Sequence, residues 1–256
     1  MSAPFEQSPA LAAIPGLRHG FFGRRGGVST GIFASLNMSE TSGDKLNLVA
    51  INRAHALESL GFTASSLVTL AQVHSSMVIA LSGPPSEGER PEGDAMVTNV
   101  PGLALGILTA DCAPILLADP EAGVIGAAHA GWKGAVEGIA HATVRAMAGL
   151  GADPARIVAA IGPAISLSNY EVGPQFAAEL LARHGDAANR IGRPTGGREH
   201  FDLPGFVFDQ LHGAGVGLVN DLGICTHADP RRYFSHRRAT LEGSTTGRQI
   251  ALIGLG

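Results

Sequence analysis

Cysteine is scarce in this chain, which has only Cys112 and Cys225 among 256 residues. Two cysteines allow at most one disulfide, which excludes a heavily cross-linked secreted scaffold. Residues 1–15 also lack the basic start and the continuous apolar run of a signal peptide. These absences together predict a cytoplasmic protein with reduced thiols.

Long apolar runs and a basic surface are missing as well. Gly, Asp and Pro interrupt every apolar stretch well before the roughly 20 residues that a membrane helix needs. A net charge of -4 and a pI near 6.2 give no basic footprint, so we expect neither membrane nor nucleic acid as a partner. Charged residues make up only 16% and hydrophobic residues 45%, which predicts a sizeable core. No linker divides the chain, so we expect one domain over residues 1–256.

The apolar patterns indicate both helices and strands. Periods of three and four predict helices over residues 45–60, 133–150, 175–183 and 203–214. Short apolar runs predict strands over residues 67–70, 77–81, 103–108, 115–118, 124–128, 157–161, 216–218 and 249–255. Residues 20–37 have the composition of a loop. Because strands and helices mix without strict alternation, we predict an α+β fold whose apolar strands are covered on both faces.

Three potential metal ligands stand at the ends of such apolar runs. They are His74, Cys112 and His129, and imidazole and thiolate are ligands that zinc prefers. Three protein ligands would leave one coordination position open, as in catalytic zinc sites. Their separations of 38 and 17 residues carry little information by themselves, and a buried cysteine is often only a small apolar residue.

Two neighbouring features each have two interpretations. Asp111 either caps a turn, or serves as a general base or as the acceptor of a hydrogen bond from a ligand histidine. The segment from His129 to Gly134 leads from a strand into a helix. Its backbone N–H groups suit an anion, or it is a tight turn with Trp132 filling the core. Three arginines further on, Arg237, Arg238 and Arg248, are candidates for clamping phosphate or simply form a charged loop.

The motifs occur together in a familiar order. They are Gly26-Gly27-Val28-Ser29-Thr30-Gly31 with Ser35-Leu36-Asn37, Gln72-Val73-His74-Ser75, Thr109-Ala110-Asp111-Cys112, His129-Ala130-Gly131-Trp132, Gly162-Pro163 with Tyr170-Glu171-Val172-Gly173, and Phe234-Ser235 through Arg237-Arg238 to Thr246-Gly247-Arg248. This set resembles the YfiH-type laccase-domain family. The resemblance spans Gly20 to Leu255, and residues 1–18 form an N-terminal segment that the motifs leave poorly defined. One departure is His236, where the family pattern leads us to expect an aromatic residue.

The resemblance implies a fold and an activity. The fold would have mixed β-sheets sandwiched between helix layers, similar to bacterial toxin cysteine-deamidase domains. Zinc would be held by His74, Cys112 and His129. The activity would be purine nucleoside phosphorylase on adenosine, inosine and methylthioadenosine, with adenosine deaminase activity beside it. Polyphenol oxidase activity with copper, and the editing of peptidoglycan precursors, are also attached to this family.

We assign catalytic roles to Asp111 and Cys112, and substrate binding to Arg24, Ser35, Asn37, Arg238 and Arg248. The substrates would be a purine nucleoside and phosphate. Three alternatives to a zinc-dependent phosphorylase remain open. A copper oxidase could use the same ligands, but the chain contains no His-X-His pair of the kind that builds a multicopper cluster. A Cys–His hydrolase could use Cys112 and His129, and a scaffold could retain a structural zinc.

Overall fold

A computed structural model describes residues 3–86, 88, 90–193 and 197–256. The strands are β1 (Phe5–Glu6), β2 (Leu17–Phe22), β3 (Leu67–Thr69), β4 (Val78–Leu81), β5 (Ala95–Thr98), β6 (Ala104–Thr109), β7 (Ala113–Asp119), β8 (Val124–Ala130), β9 (Val158–Ile161), β10 (Ile191–Gly192), β11 (His200–Phe201), β12 (Leu218–Asp221) and β13 (Gln249–Leu255). The α-helices are α1 (Pro9–Ala12), α2 (Leu46–Ser59), α3 (Trp132–Val136), α4 (Ile139–Gly149), α5 (Pro174–Arg183), α6 (Leu203–Gly213) and α7 (His236–Leu241).

Two mixed sheets form the centre of the described fold. One has five strands in the order β1-β2-β13-β6-β3, and the other has six in the order β12-β9-β7-β8-β5-β4. A cluster of buried side chains from both sheets lies between them, including Leu105 of β6 and Leu116 of β7. The outer face of the six-stranded sheet packs against α4 and α6, and that of the five-stranded sheet packs against α2. The structure therefore confirms the α+β fold with sheets between helix layers; the likeness to toxin domains stays a prediction.

The middle strands are buried along their whole length. Every residue of β6, β7 and β8 is buried. In β7, Ile115 and Leu117 point into the core beside the helices, whereas Leu116 and Ala118 point into the core between the sheets. Side chains alternate faces along a strand, so a strand that is covered on both faces reads as one apolar run. The strands predicted over residues 115–118 and 124–128 form a hairpin, because β7 and β8 pair antiparallel from Asp119↔Val124 to Ala113↔Ala130.

Two helix predictions differ from the structure in detail. The helix predicted over residues 133–150 is two helices, α3 and α4, separated by Gly138 with φ +86°. The helix predicted over residues 45–60 is present as α2. Its apolar periodicity predicts a buried face of Leu46, Val49, Ala50, Ala54 and Leu57, of which only Val49 and Leu57 are buried. Leu46 is 63% exposed, and α2 instead buries Val49, Asn52, Ala56 and Leu57. The polar Asn52 belongs to the buried face because its amide hydrogen-bonds Ser29 and Asn37, which hydrophobic periodicity cannot show.

The N-terminal part is more regular than the sequence predicted. β2 falls partly in the predicted loop over residues 20–37, yet it pairs with β13 inside the five-stranded sheet. Residues 3–16, within the segment left undefined by the motifs, contain β1 and α1. Ser8 caps α1, and Leu11 is fully buried. A capped helix and an edge strand thus fix this segment to the sheet. Among the described helices, none is both long and apolar enough to cross a membrane.

Candidate metal centre

The three predicted ligands meet at one rim of the two sheets. His74 lies between β3 and β4, Cys112 between β6 and β7, and His129 near the end of β8. Because β7 and β8 form a hairpin, the start of β7 and the end of β8 lie side by side, and His129 pairs with Pro114. The segments that carry His74 and Cys112 are the ones in which the chain crosses from the five-stranded sheet to the six-stranded sheet. The fold thus brings together residues 38 and 17 positions apart.

The ligand atoms are spaced as metal ligands require. The Sγ atom of Cys112 lies 3.8 Å from Nε2 of His74, and the ligand atoms of the three residues lie within 4.8 Å of one another. Two such ligands of one tetrahedral zinc are separated by about 3.6 Å. His74 is exposed, Cys112 is partly exposed and His129 is buried, so the group faces solvent on one side. Among the described residues it is the one His, Cys, Asp or Glu group of this kind.

A carboxylate that the sequence analysis missed, Asp94, holds two of the three residues in place. Its Oδ1 atom accepts a hydrogen bond from Nδ1 of His129 at 2.8 Å and from the backbone N–H of His74 at 3.0 Å. Its Oδ2 atom accepts from the backbone and the hydroxyl of Ser75 at 2.7 and 2.9 Å. This arrangement leaves Nε2 of His129 for a metal, as is usual for histidine ligands. Asp94 is fully buried; burial raises its pKa, but these hydrogen bonds outweigh burial and lower the pKa.

Burial and charge act against each other at Cys112 and His129. Burial raises the pKa of the Cys112 thiol, but the charge and hydrogen bonds of His129 and His74 outweigh it and lower the pKa. Burial lowers the pKa of His129, but Cys112 and Asp94 outweigh burial and raise it. A thiolate beside imidazole groups is thereby favoured, and thiolate is the form that binds metal.

Glycine is required where the segment after β8 passes the ligands. A Cβ atom on Gly131 would lie 2.5 Å from Cδ2 of His74 and 3.2 Å from Sγ of Cys112. A Cβ atom on Gly134 would lie 2.7 Å from the carbonyl oxygen of Ser75. The Trp132 ring packs edge to face on Phe176 at 5.2 Å. These contacts favour the tight-turn interpretation of this segment.

Asp111 makes the contacts of a loop-binding carboxylate. Its oxygens accept hydrogen bonds from the hydroxyls of Thr226 (2.6 Å) and Ser235 (2.9 Å) and from the backbone N–H of Arg237 (2.6 Å). Its φ of +85° and the φ of +63° at His74 are both unusual for residues other than glycine. Such backbone strain is typical of functional sites. The candidate ligand His129 pairs with Asp94 instead, and a catalytic role for Asp111 stays a prediction.

Of the five predicted substrate-binding residues, only Arg248 borders the cluster. A cavity of about 360 Å³ beside the cluster is lined by Arg248 and Arg90, among others. The Arg248 guanidinium donates to the carbonyl oxygens of Thr246 and Gly247 through one nitrogen, at 3.3 and 3.1 Å. Asn37 acts on it indirectly, because Oδ1 of Asn37 accepts from the backbone N–H of Arg248 at 2.9 Å.

The other three residues hold loops together outside this cavity. Arg24 donates to the carbonyl oxygens of Ala34, Pro230 and Ile32 and lies over the ring of Phe234. Arg238 donates to the carbonyl oxygens of Thr226, His227 and Tyr233. The Ser35 hydroxyl donates to the carbonyl of Arg24 and accepts from Gly27. The substrate-binding role predicted for Arg24, Ser35 and Arg238 stays untested, and their donors are committed to the backbone.

The fold and the cluster together define a class of protein: two packed mixed sheets with a His–Cys–His group at their shared rim that could bind a metal. A family model described as "Multi-copper polyphenol oxidoreductase laccase" matches residues 18–256. The chain belongs to this laccase-domain family, as its motifs predicted. The family description says nothing by itself about the metal or reaction of this chain.

Named relatives and solved structures agree with this placement. A protein of Deinococcus radiodurans named purine nucleoside phosphorylase is 47% identical over 253 residues, which covers 98% of this chain and 93% of that protein. The crystal structure of a Neisseria meningitidis protein matches with a TM-score of 0.87 and 30% identity, covering 100% of this chain and 99% of that one. Bacillus licheniformis YfiH matches with a TM-score of 0.84 and 28% identity, covering 94% and 93%.

Proposed function

We propose that the chain is a metal-dependent purine nucleoside phosphorylase. The observation that carries this proposal is the three-ligand group, exposed on one side to a cavity that also contains the Arg248 guanidinium. A nucleoside and an anionic co-substrate would meet there. The name of the Deinococcus relative supports the same reaction.

The donor set fits zinc. His74, Cys112 and His129 would hold the ion, since two imidazoles and a thiolate with one side open match catalytic zinc sites. Bound zinc supplies a Lewis acid that stabilises negative charge developing on the purine or its bound water. Copper would find the same donors acceptable, so metal identity is part of the proposal.

The chain's own residues prepare this reaction. Asp94 fixes the ring of His129, and Gly131 leaves room for the ring of His74. Arg248 would neutralise phosphate, whose oxygen forms a bond to the anomeric carbon while the bond to the purine breaks and its electron pair leaves with the base. The base then takes a proton, and the sugar leaves as its 1-phosphate. Deamination of adenosine at the same three-ligand group is part of the proposal, with Asp111, the neighbour of Cys112 in the chain, as the residue predicted to move a proton.

The test is phosphate-dependent release of hypoxanthine from inosine, followed by chromatography. Zinc-loaded protein, Cys112→Ala and Cys225→Ser are compared at equal folded concentration. We expect Cys112→Ala to lose both zinc and turnover, because one of three ligands is gone. Cys225→Ser should keep both, since Cys225 contacts Ser166 and Asn169 instead. It is not part of the metal group, the name used from here on for His74, Cys112 and His129. Full activity of Cys112→Ala would contradict the proposal.

One observation favours a second candidate, a Cys–His hydrolase acting on peptidoglycan precursors. The lowered pKa of Cys112 beside His74 and His129 is what a nucleophilic thiolate requires. A zinc-bound thiolate is already engaged, so metal content separates the two candidates. Hydrolysis that is faster in metal-free protein, with no release of hypoxanthine by the zinc-loaded form, would favour the hydrolase.

A further inference from the structure

The metal group lies between two cavities. The first, of about 360 Å³, was described above, and the second has about 350 Å³. They share His74, Ala110, Cys112 and His236 in their linings and differ in the rest. A small molecule bound at the metal group could therefore extend into both cavities.

The first cavity, called the polar lobe below, carries two guanidinium groups. Arg248 is half-buried, and among the described residues no carboxylate forms an ion pair with it. Burial lowers its pKa, and the charges of Cys112 and Asp111 oppose burial. Only one of its guanidinium nitrogens donates to the carbonyl groups of Thr246 and Gly247, so the other nitrogens remain available to donate. A half-buried cation with free donors that face a cavity favours an anion as the occupant.

Arg90 stands on the same lobe and is also held in place. Its Nε atom donates to the carbonyl oxygen of Leu70 at 2.9 Å. The nearest carboxylate among the described residues, Glu40, lies 3.8 Å away and makes its short contact of 2.7 Å with Arg53 instead. The outer edge of the Arg90 guanidinium thus remains able to bind an oxyanion in the planar geometry that arginine favours.

The second cavity, called the aromatic lobe below, has a different lining. Trp132 and Tyr170 line it together with the aliphatic side chains of Val73, Ile165 and Leu203. Asp111, Lys133 and Arg237 add charged groups to this lining. Aromatic and apolar walls combined with a small number of placed polar groups are usual where flat organic ligands bind. The Arg237 guanidinium lies over the Tyr170 ring at 5.4 Å, which fixes that ring on one face.

We propose that the two lobes divide the substrates of the proposed phosphorylase: phosphate binds Arg90 and Arg248 in the polar lobe, and the purine binds Trp132 and Tyr170 in the aromatic lobe. The anomeric carbon then lies at the shared wall, beside Cys112 and His236. This inference rests on the proposed function. The division also fits the chemistry of the reaction, because the phosphate oxygen must attack the anomeric carbon from the side opposite to the departing purine. The bond to phosphate forms from one lobe while the purine departs with its electron pair into the other and is protonated.

Binding experiments separate this inference from the activity itself. Inorganic phosphate and hypoxanthine are titrated separately into zinc-loaded protein by calorimetry, with wild type, Arg90→Gln and Tyr170→Leu. We expect Arg90→Gln to weaken phosphate about tenfold or more and hypoxanthine less than twofold, because a charge-assisted bond is lost only in the polar lobe. Tyr170→Leu should show the reverse pattern. Arg145→Gln, the same change at an exposed position of α4, is the matched control and should bind both as wild type does.

The outcomes are distinct. Binding of both probes with these opposite effects supports the division even if wild type releases no hypoxanthine from inosine, in which case only the proposed reaction fails. Loss of both probes in one variant that keeps its fold by circular dichroism and its zinc would overturn the division, as would unchanged phosphate binding in Arg90→Gln or unchanged hypoxanthine binding in Tyr170→Leu. Wild type that binds neither probe at millimolar concentration would overturn it as well.

Discussion

Close packing around the metal group limits which residues can stand there, and Gly131 is the clearest example. Its φ of -73° and ψ of 164° suit any amino acid, so the backbone does not require glycine. What requires glycine is the ring of His74, which an added Cβ atom would approach to 2.5 Å. A substitution at position 131 therefore displaces the His74 ring without straining the backbone.

We predict that Gly131→Ala folds but binds zinc at least about tenfold more weakly, because the His74 ring must move away from its ligand position. Competition with a chromophoric chelator measures the affinity. Gly149→Ala is the matched control: apart from its chain neighbours and the backbone of its own helix, no atom lies within 4 Å of the added Cβ, so zinc affinity should not change. Equal affinities for the two variants would show that His74 tolerates displacement or is not a ligand.

Among single residues, the sequence predicted the three candidate ligands but not the carboxylate that holds two of them in place. The motifs around His74, Cys112 and His129 predicted residues that the fold does bring together. Asp94 was missed, although a carboxylate directly before the apolar run Ala95–Thr98 is a detectable signal. Its partners are backbone N–H groups and a histidine 35 positions away, which no local pattern reveals.

Elements were predicted well where the core alone determines them. The helix after Asp202 begins and ends almost as predicted, with Asp202 accepting from Gly205 and Pro204 in the first turn. β2 was missed because its partner β13 lies more than 200 residues away. The N-terminal segment was underestimated because its partners are distant in the chain, as in the pairing of β1 with β2 and the hydrogen bond from the backbone N–H of Ser8 to Nε2 of His19 at 3.0 Å.

His19 makes this anchoring sensitive to acid. Burial lowers its pKa to about 4, and the bond from Ser8 opposes burial only partly. The folded pKa lies below the ordinary value of 6.5, so the unfolded chain binds the proton first as the pH falls. Stability is thus full above pH 6.5 and is lost as the pH falls towards 4, by about 3 kcal/mol.

Urea unfolding at a series of pH values checks this prediction. We expect the free energy of unfolding of wild type to fall more steeply between pH 6.5 and 4 than that of His19→Gln, which cannot take up the proton. Other histidines titrate in both proteins, so the difference between the two curves isolates His19. Parallel curves would refute the assignment.

Across the whole molecule, the metal group and the ion pair between buried Asp119 and half-buried Arg156 lie at opposite ends of the β7–β8 hairpin. At the closed end, Asp119 is buried and accepts from Arg156 at 2.9 Å and from the backbone of Glu121, Ala122 and Asp153. Burial raises the pKa of Asp119, but these bonds outweigh it and lower the pKa to about 2. The hairpin thus carries a stabilising ion pair at its closed end and the candidate metal site at its other end.

We predict that Asp119→Ala destabilises the fold by about 2 kcal/mol, because it removes a fully buried carboxylate and leaves its partly buried donors without their acceptor. Zinc affinity should stay within about twofold of wild type, since the metal group is at the far end of the hairpin. Urea unfolding and chelator competition measure the two quantities separately. A large loss of zinc affinity in folded Asp119→Ala would show that the two ends are coupled.

Two of the four crossings between the sheets pass through the metal group, which has a consequence for how the sheets are held together. His74 and Cys112 lie on the segments that join the five-stranded to the six-stranded sheet, and His129 belongs to the second sheet alone. All three side chains also lie in or next to strands of the six-stranded sheet, and Asp94 of that sheet holds His74 and His129. An ion bound by His74 and Cys112 would therefore tie both segments that leave the five-stranded sheet to the rim of the six-stranded sheet, and would resist separation of the two sheets.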